Sequence, residues 1–206
     1  MTSFLRYGIL LALLPAAAVA QTTSHLYVGA SAVLRRTAPF DSYGFSHVGP
    51  AATIGVKFNE RWAVETGFQA VWYANSRTDY AISSTQQSFF SDQRSTTFLV
   101  PILARFTVTS AGSPLRVDLL GGVNWSHERY TTTSGFIVNG ITEQGSNSGG
   151  GHSASVAFGP QVRYALSTRL EAKLNAPLNM YLNRGDSSFG NRLFANPQLG
   201  VQYTFH

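Results

Sequence analysis

Beyond residue 21 the chain alternates apolar and polar side chains with a period of two, and no segment keeps a clear 3.6-residue apolar period. Such a pattern makes strands, because successive side chains on a strand point to opposite faces. Eight candidate strands are read at about 24–35, 48–58, 62–74, 96–108, 115–129, 153–165, 169–183 and 192–205. In WAVETGFQAVWY, Trp62, Val64, Phe68, Ala70 and Trp72 share one face and Glu65, Gly67 and Gln69 the other. In FLVPILARFTV, Phe98, Val100, Ile102, Ala104, Phe106 and Val108 oppose Arg105. Leu115, Val117, Leu119, Val123 and Trp125 oppose Arg116, Asp118 and Asn124, and Val156, Phe158, Val162 and Tyr164 oppose Gly159, Gln161 and Arg163. Leu170, Ala172, Leu174, Ala176 and Leu178 oppose Glu171, Lys173, Asn175 and Asn179.

The connections alternate in length. Asn59–Arg61, Ser110–Pro114 and the residues around Ser167 are of hairpin length. The stretches 36–47, 75–95, 130–152 and 184–191 are longer and rich in Ser, Thr, Gly, Asn and Asp, and GSNSGGGH within them reads as the most flexible. Long loops of this kind in a compact domain usually serve a function. An even strand count with short turns on one side and long loops on the other is the pattern of an eight-stranded antiparallel up-and-down transmembrane β-barrel. Ten residues at ~3.3 Å each, tilted by ~45°, span about 23 Å, close to the apolar band of an outer membrane.

Alternation alone leaves open which face meets solvent. A soluble barrel that binds an apolar ligand turns its apolar face inward; a membrane barrel turns it outward. Three features favour the membrane. Charged residues are only 12% of the chain, against roughly 25% in an average soluble domain. Those on the polar face come in both signs: Glu65, Arg105, Arg116, Asp118, Arg163, Glu171 and Lys173. In a narrow lumen they can pair, and must, because an unpaired buried charge is costly. Gly67, Gly122, Gly159 and Gly200 on the same face are read as making room for long side chains. Aromatics favour strand ends. Phe58, Trp62, Phe106 and Tyr164 lie beside short turns, and Trp72 and Trp125 lie toward long loops, as two interfacial girdles would require. The closing strand alternates Leu199, Val201, Tyr203 and Phe205 before His206, and an aromatic next to the C-terminus resembles the signal read by the barrel-assembly machinery.

The first twenty residues read as a signal peptide: Arg6, then the apolar YGILLALLPAA, then Ala18-Val19-Ala20 as a small-x-small cleavage site. This divides the chain into 1–20, signal peptide, and 21–206, outer-membrane barrel. Without Arg6 the 15 basic residues become 14 against 10 acidic ones, and the basic residues are scattered, which argues against nucleic acid. The absence of cysteine excludes disulfides, thiolate chemistry and a lipoprotein anchor.

The run STTFLVPILARFTVTSAGSPLRVDLLGGVNWS resembles a small outer-membrane β-barrel family common in Bacteroidota, labelled porin-like or OmpA-like. Val100, Pro101, Ile102, Leu103 and Arg105 carry one half of the pattern, and Pro114, Leu119 and Gly121–Gly122 the other. The resemblance implies fold and an outer-membrane location and hardly any activity.

One stretch suggests chemistry. WSHERY sets Ser126, His127 and Glu128 side by side, the parts of a hydrolase triad. On a strand Ser126 and Glu128 face one way and His127 the other, so the serine cannot meet its base at about 3 Å. Barrels that deacylate lipid A keep serine and histidine two apart, a spacing missing here. No catalytic residue is assigned. The five histidines lie far apart without metal-ligand spacing, so no metal and no cofactor are expected. An eight-stranded barrel is filled by its own side chains, so selective conduction is not expected either. The expectation is an outer-membrane barrel with a structural or surface-interaction role. Its partners would be outer-membrane lipids, the assembly machinery, and an extracellular partner met through loops 36–47, 75–95, 130–152 and 184–191. The alternatives are a lipid-modifying enzyme of the outer leaflet and a soluble periplasmic barrel.

Overall fold

A computed structural model of the chain describes residues 25–37, 46–81, 87–110, 112–138, 141–183 and 192–205. Ten β segments follow in chain order: β1 (His25–Thr37), β2 (Ser46–Lys57), β3 (Trp62–Ala81), β4 (Gln87–Thr107), β5 (Leu115–Val138), β6 (Ile141–Ala165), β7 (Leu170–Asn175), β8 (Leu178–Tyr181), β9 (Leu193–Ala195) and β10 (Gln198–Thr204). Every pairing is antiparallel, and the sheet closes on itself because β1 pairs β2 on one side and β9 and β10 on the other. Closure leaves no open edge along the wall.

The ten segments make eight staves. β7 and β8 are one strand interrupted at Pro177, and β9 and β10 are one interrupted at Pro197. Pairing resumes across both gaps without slip, from Asn175↔Gln198 to Leu178↔Ala195. Proline has no N–H to give the ladder. Its carbonyl still accepts: Asn196 N–H donates to Pro177 O at 3.1 Å, and Leu34 N–H to Pro197 O at 2.9 Å.

The apolar face is on the outside. Leu26, Ile54, Phe68, Ile102, Val123 and Leu199 are exposed, while their polar neighbours Glu65, Gln69, Arg105, Asp118 and Gln202 are buried. A water-soluble barrel has the reverse arrangement, so the polar inner face removes the apolar-ligand alternative. Buried apolar residues form only small clusters among the polar ones, such as Leu103, Leu120 and Ala157.

Three expectations need correction. The stretches 75–95 and 130–152 are mostly strand. β3 and β4 stay paired to Ala81↔Gln87, and β5 and β6 to Val138↔Ile141, so two ribbons run well past the wall. GSNSGGGH lies inside β6, with Gly149 opposite Tyr130 and His152 opposite His127. Of 36–47, residues 36, 37, 46 and 47 belong to β1 and β2; 38–45 and all of 184–191 lie outside the described residues, as do the signal segment and His206. Finally, most of the named glycines do not make room for side chains. A Cβ on Gly122 would stand 2.1 Å from the Ile102 carbonyl oxygen, and Gly67 and Gly200 likewise approach neighbouring backbone. Tight coiling of a narrow barrel brings strands too close there for a methyl group. In the wall Gly55 does accommodate a side chain, since its Cβ would overlap the Tyr27 ring, and in a ribbon Gly149 does so for Tyr130.

Candidate functional site

The lumen divides into two halves by chemistry. Toward the short turns it holds charge. All seven named charged residues lie on the inner face, and six of them are buried; Arg116 is partly exposed. Arg163 is the centre. Its Nε and Nη2 donate to Asp118 Oδ2 and Oδ1 at 2.6 and 2.9 Å, and its Nη1 to Glu171 Oε2 at 2.7 Å. Asp118 also accepts from Thr107 Oγ1 at 2.7 Å and Gln161 Nε2 at 3.0 Å. Arg116 Nη1 reaches the other oxygen of Glu171 at 3.0 Å. Glu65 accepts from the Tyr27 hydroxyl at 2.8 Å and lies 3.6 Å from Arg105 Nη1. Gln202 joins the two groups, accepting from Arg105 and donating to Glu171 at 3.2 and 3.3 Å. Lys173 donates to Thr53 Oγ1 at 3.1 Å. The two-pronged Arg163–Asp118 bond, buried among further hydrogen bonds, is the geometry that offsets the cost of burying charge.

Toward the ribbons the lumen is mainly neutral. Asn124 donates to Asn179 at 2.7 Å, and Asn179 donates to the carbonyls of Pro177 and Phe194 at 3.0 and 3.3 Å. Arg35 is the buried cation of this half. Its guanidinium lies 4.6 Å from the centre of the Phe194 ring and bonds the Tyr181 hydroxyl. Beside it His47 meets Ser95 Oγ at 2.9 Å.

The named aromatics stand on the outer face at two levels. Trp62, Tyr164, Tyr203 and Phe205 are exposed near the short turns, with Trp62 packed on Phe106 at 4.9 Å and Phe58 beside the first turn. Trp72 and Trp125 are exposed where the ribbons leave the wall.

WSHERY divides across the wall. Ser126 is buried inside, with its hydroxyl 3.4 Å from the Ser153 carbonyl, whereas His127 is on the outer face. The histidines, distant in sequence, are not all distant in space. Cross-strand pairing sets the His127 and His152 rings 4.4 Å apart, tilted to one another, and stacks His152 on Trp125 at 5.1 Å; two residues along the same strand, Arg129 Nε donates to His127 Nε2 at 3.2 Å. The described residues contain no cluster of three or more potential metal ligands.

Sequence reasoning missed Tyr27 and Lys57 on the inner face. Parity was the available signal: Tyr27 alternates with the outward Leu26 and Val28, and Lys57 follows Thr53 and Gly55 in phase.

A closed sheet with an apolar exterior and a charged interior defines a transmembrane β-barrel, crossing with strands while the described residues contain no helix long and apolar enough to cross. Residues 9–205 match the model of the outer membrane protein beta-barrel domain, and the chain belongs to that family. It is an integral outer-membrane β-barrel. No curated protein is significantly similar to it in sequence. Solved structures share the fold. Neisserial surface protein A is 15% identical, with 89% of this chain and 100% of that one covered and a TM-score of 0.50. Ail, the attachment invasion locus protein of Yersinia pestis, is 15% identical over 89% and 100% at 0.51. The N-terminal β-barrel domain of Pseudomonas aeruginosa OprF is 14% identical over 87% and 97% at 0.51.

Proposed function

We propose that this protein is exported by a cleaved signal peptide at residues 1–20 and serves as a non-catalytic scaffold whose barrel, 21–206, displays two β-ribbons to the cell exterior. One observation carries the reading. Along β6, residues 141–154 are almost all exposed on both faces, and inside–outside alternation begins only at Ser155. A protein that only sealed or braced the membrane has no use for a ribbon of that length. The short turns then face the periplasm and the ribbons the surroundings, as in other barrels of this membrane. The ribbons, with 36–47 and 184–191, contact an extracellular partner, and the wall contacts lipid after delivery by the assembly machinery.

The register offers a clean test. Tyr130 and Gly149 are directly paired. Excising 131–138 and 141–148 leaves Asn139-Gly140 to close a two-residue hairpin between them. We expect the shortened protein to reach the outer membrane and keep heat-modifiable gel mobility while cell-surface attachment falls. Attachment equal to that of the full protein would sink the interaction role. Loss of detergent resistance in a deletion strain, restored by the shortened form, would place the role in the wall. An altered lipid A mass spectrum that depends on Ser126 or His127 would restore the enzyme reading.

A further inference from the structure

The short-turn end of the lumen opens into a cup of about 380 Å³. The turn residues Gly112–Pro114 and Ser167–Thr168 form its rim, and Tyr27, Arg105 and Gln202 reach its depths. Four of its lining side chains are cationic: Lys57, Arg105, Arg116 and Arg163. One is a carboxylate, Glu171.

The acids of this half are already engaged. Asp118 is enclosed by Arg163, Thr107 and Gln161. Both oxygens of Glu171 are held by arginines, and Glu65 is shared by Tyr27 and Arg105. Lys57 makes no hydrogen bond or ion pair among the described residues, although it lines the cup. On the inner face here, Lys57, Arg105, Arg116, Arg163 and Lys173 stand against Glu65, Asp118 and Glu171, an excess of two positive charges. The turn residues Glu60, Arg61 and Arg169 lie on the exposed rim side and add one further positive charge on balance. Self-repelling charge in a narrow, low-dielectric cavity favours a counter-ion. The cup supplies that ion with rigid donors, because Arg105 and Arg163 are each only 2% exposed and locked in the network.

We infer that this cup is an anion-binding site whose ligand is a phosphate-class dianion entering from the short-turn side, either free phosphate or the terminal phosphate of a small ester. Two negative charges match the local excess. Arg116 and Lys57 at the mouth supply donors beside the buried guanidinium of Arg163.

Calorimetric titration of the purified barrel in detergent micelles tests this with sodium phosphate against sodium chloride at matched ionic strength. We expect one saturable phosphate site and none for chloride. Lys57→Gln removes a side chain that holds nothing else, so the barrel should keep its heat-modifiable mobility while affinity falls on the order of tenfold or more. Arg129→Gln, exposed at the opposite, ribbon end of the barrel, should bind as wild type. A parallel titration with glycerol 3-phosphate separates the sources: tighter binding than phosphate assigns an ester, weaker binding the free ion. Equal heats for phosphate and chloride, or unchanged phosphate affinity in Lys57→Gln, would overturn the site.

Discussion

β6 is one continuous strand that lives in two environments. From Ser155 to Arg163 its side chains alternate strictly between buried and exposed; from Ile141 to Ala154 nearly all are exposed. The ladder hydrogen-bonding to β5 is the same in both parts, from Leu115↔Tyr164 to Val138↔Ile141. Backbone pairing therefore does not require alternation. Alternation is imposed by two different solvents, lipid outside and a packed polar lumen inside. Where water bathes both faces, the strand accepts Ser, Thr, Gly and Asn freely. The sequence of the ribbon consequently looks like a loop while its backbone is a strand.

The largest expected effect is inside the wall. Arg163→Met would strand Asp118 and Glu171 without their shared cation, and breaking a buried pair in this way costs about 3–5 kcal/mol. Urea unfolding of the barrel in lipid vesicles, followed by tryptophan fluorescence, should show that loss. A shift comparable to that of a ribbon substitution would mean that the charges are solvated.

Next in size is the outer face. Ile102 is 56% exposed at the middle of the β4 wall. Ile102→Arg should cost about 2–4 kcal/mol in vesicles, the penalty for arginine at the bilayer midplane. Thr142→Arg on the ribbon should stay within ~0.5 kcal/mol. Equal penalties in the two places would erase the distinction between lipid-facing and water-facing strand.

The smallest contrast is between glycines. Gly122→Ala pushes a methyl group toward the Ile102 carbonyl, and such overpacking costs roughly 1–3 kcal/mol. Nothing lies within 4 Å of a Cβ on Gly151 in the ribbon, so Gly151→Ala should be within ~0.5 kcal/mol of wild type. Matching melting profiles for the two variants would show that the wall relaxes around Gly122.

Much of the wall was legible because it obeys a simple period. Trp62 to Trp72 on one face and Glu65 to Gln69 on the other follow directly from parity, and so does the separation of Ser126 from His127. The ribbons were not legible from periodicity. The one local signal was the Asn139-Gly140 dipeptide of the sequence, a composition suited to a two-residue hairpin, between Val138 and Ile141, which pair in the structure. The His127–His152 contact was also hidden, since it depends on the register of β5 against β6, which parity alone does not give. Lys57 could have been assigned to the lumen by parity, but its lack of a partner could not.

By itself, the sequence determined the strand architecture and the two chemically distinct faces, because a period of two needs no knowledge of neighbours. Tertiary structure decided which charges meet. Arg163 lies opposite Arg116 and Lys173 in the ladder, yet it is Asp118 and Glu171 that hold it, each two residues out of register on the stave to either side. Closure of the barrel then brings Gln202 of the last stave to Arg105 of β4 and so links this group to Glu65, and closure is a property of all the strands together.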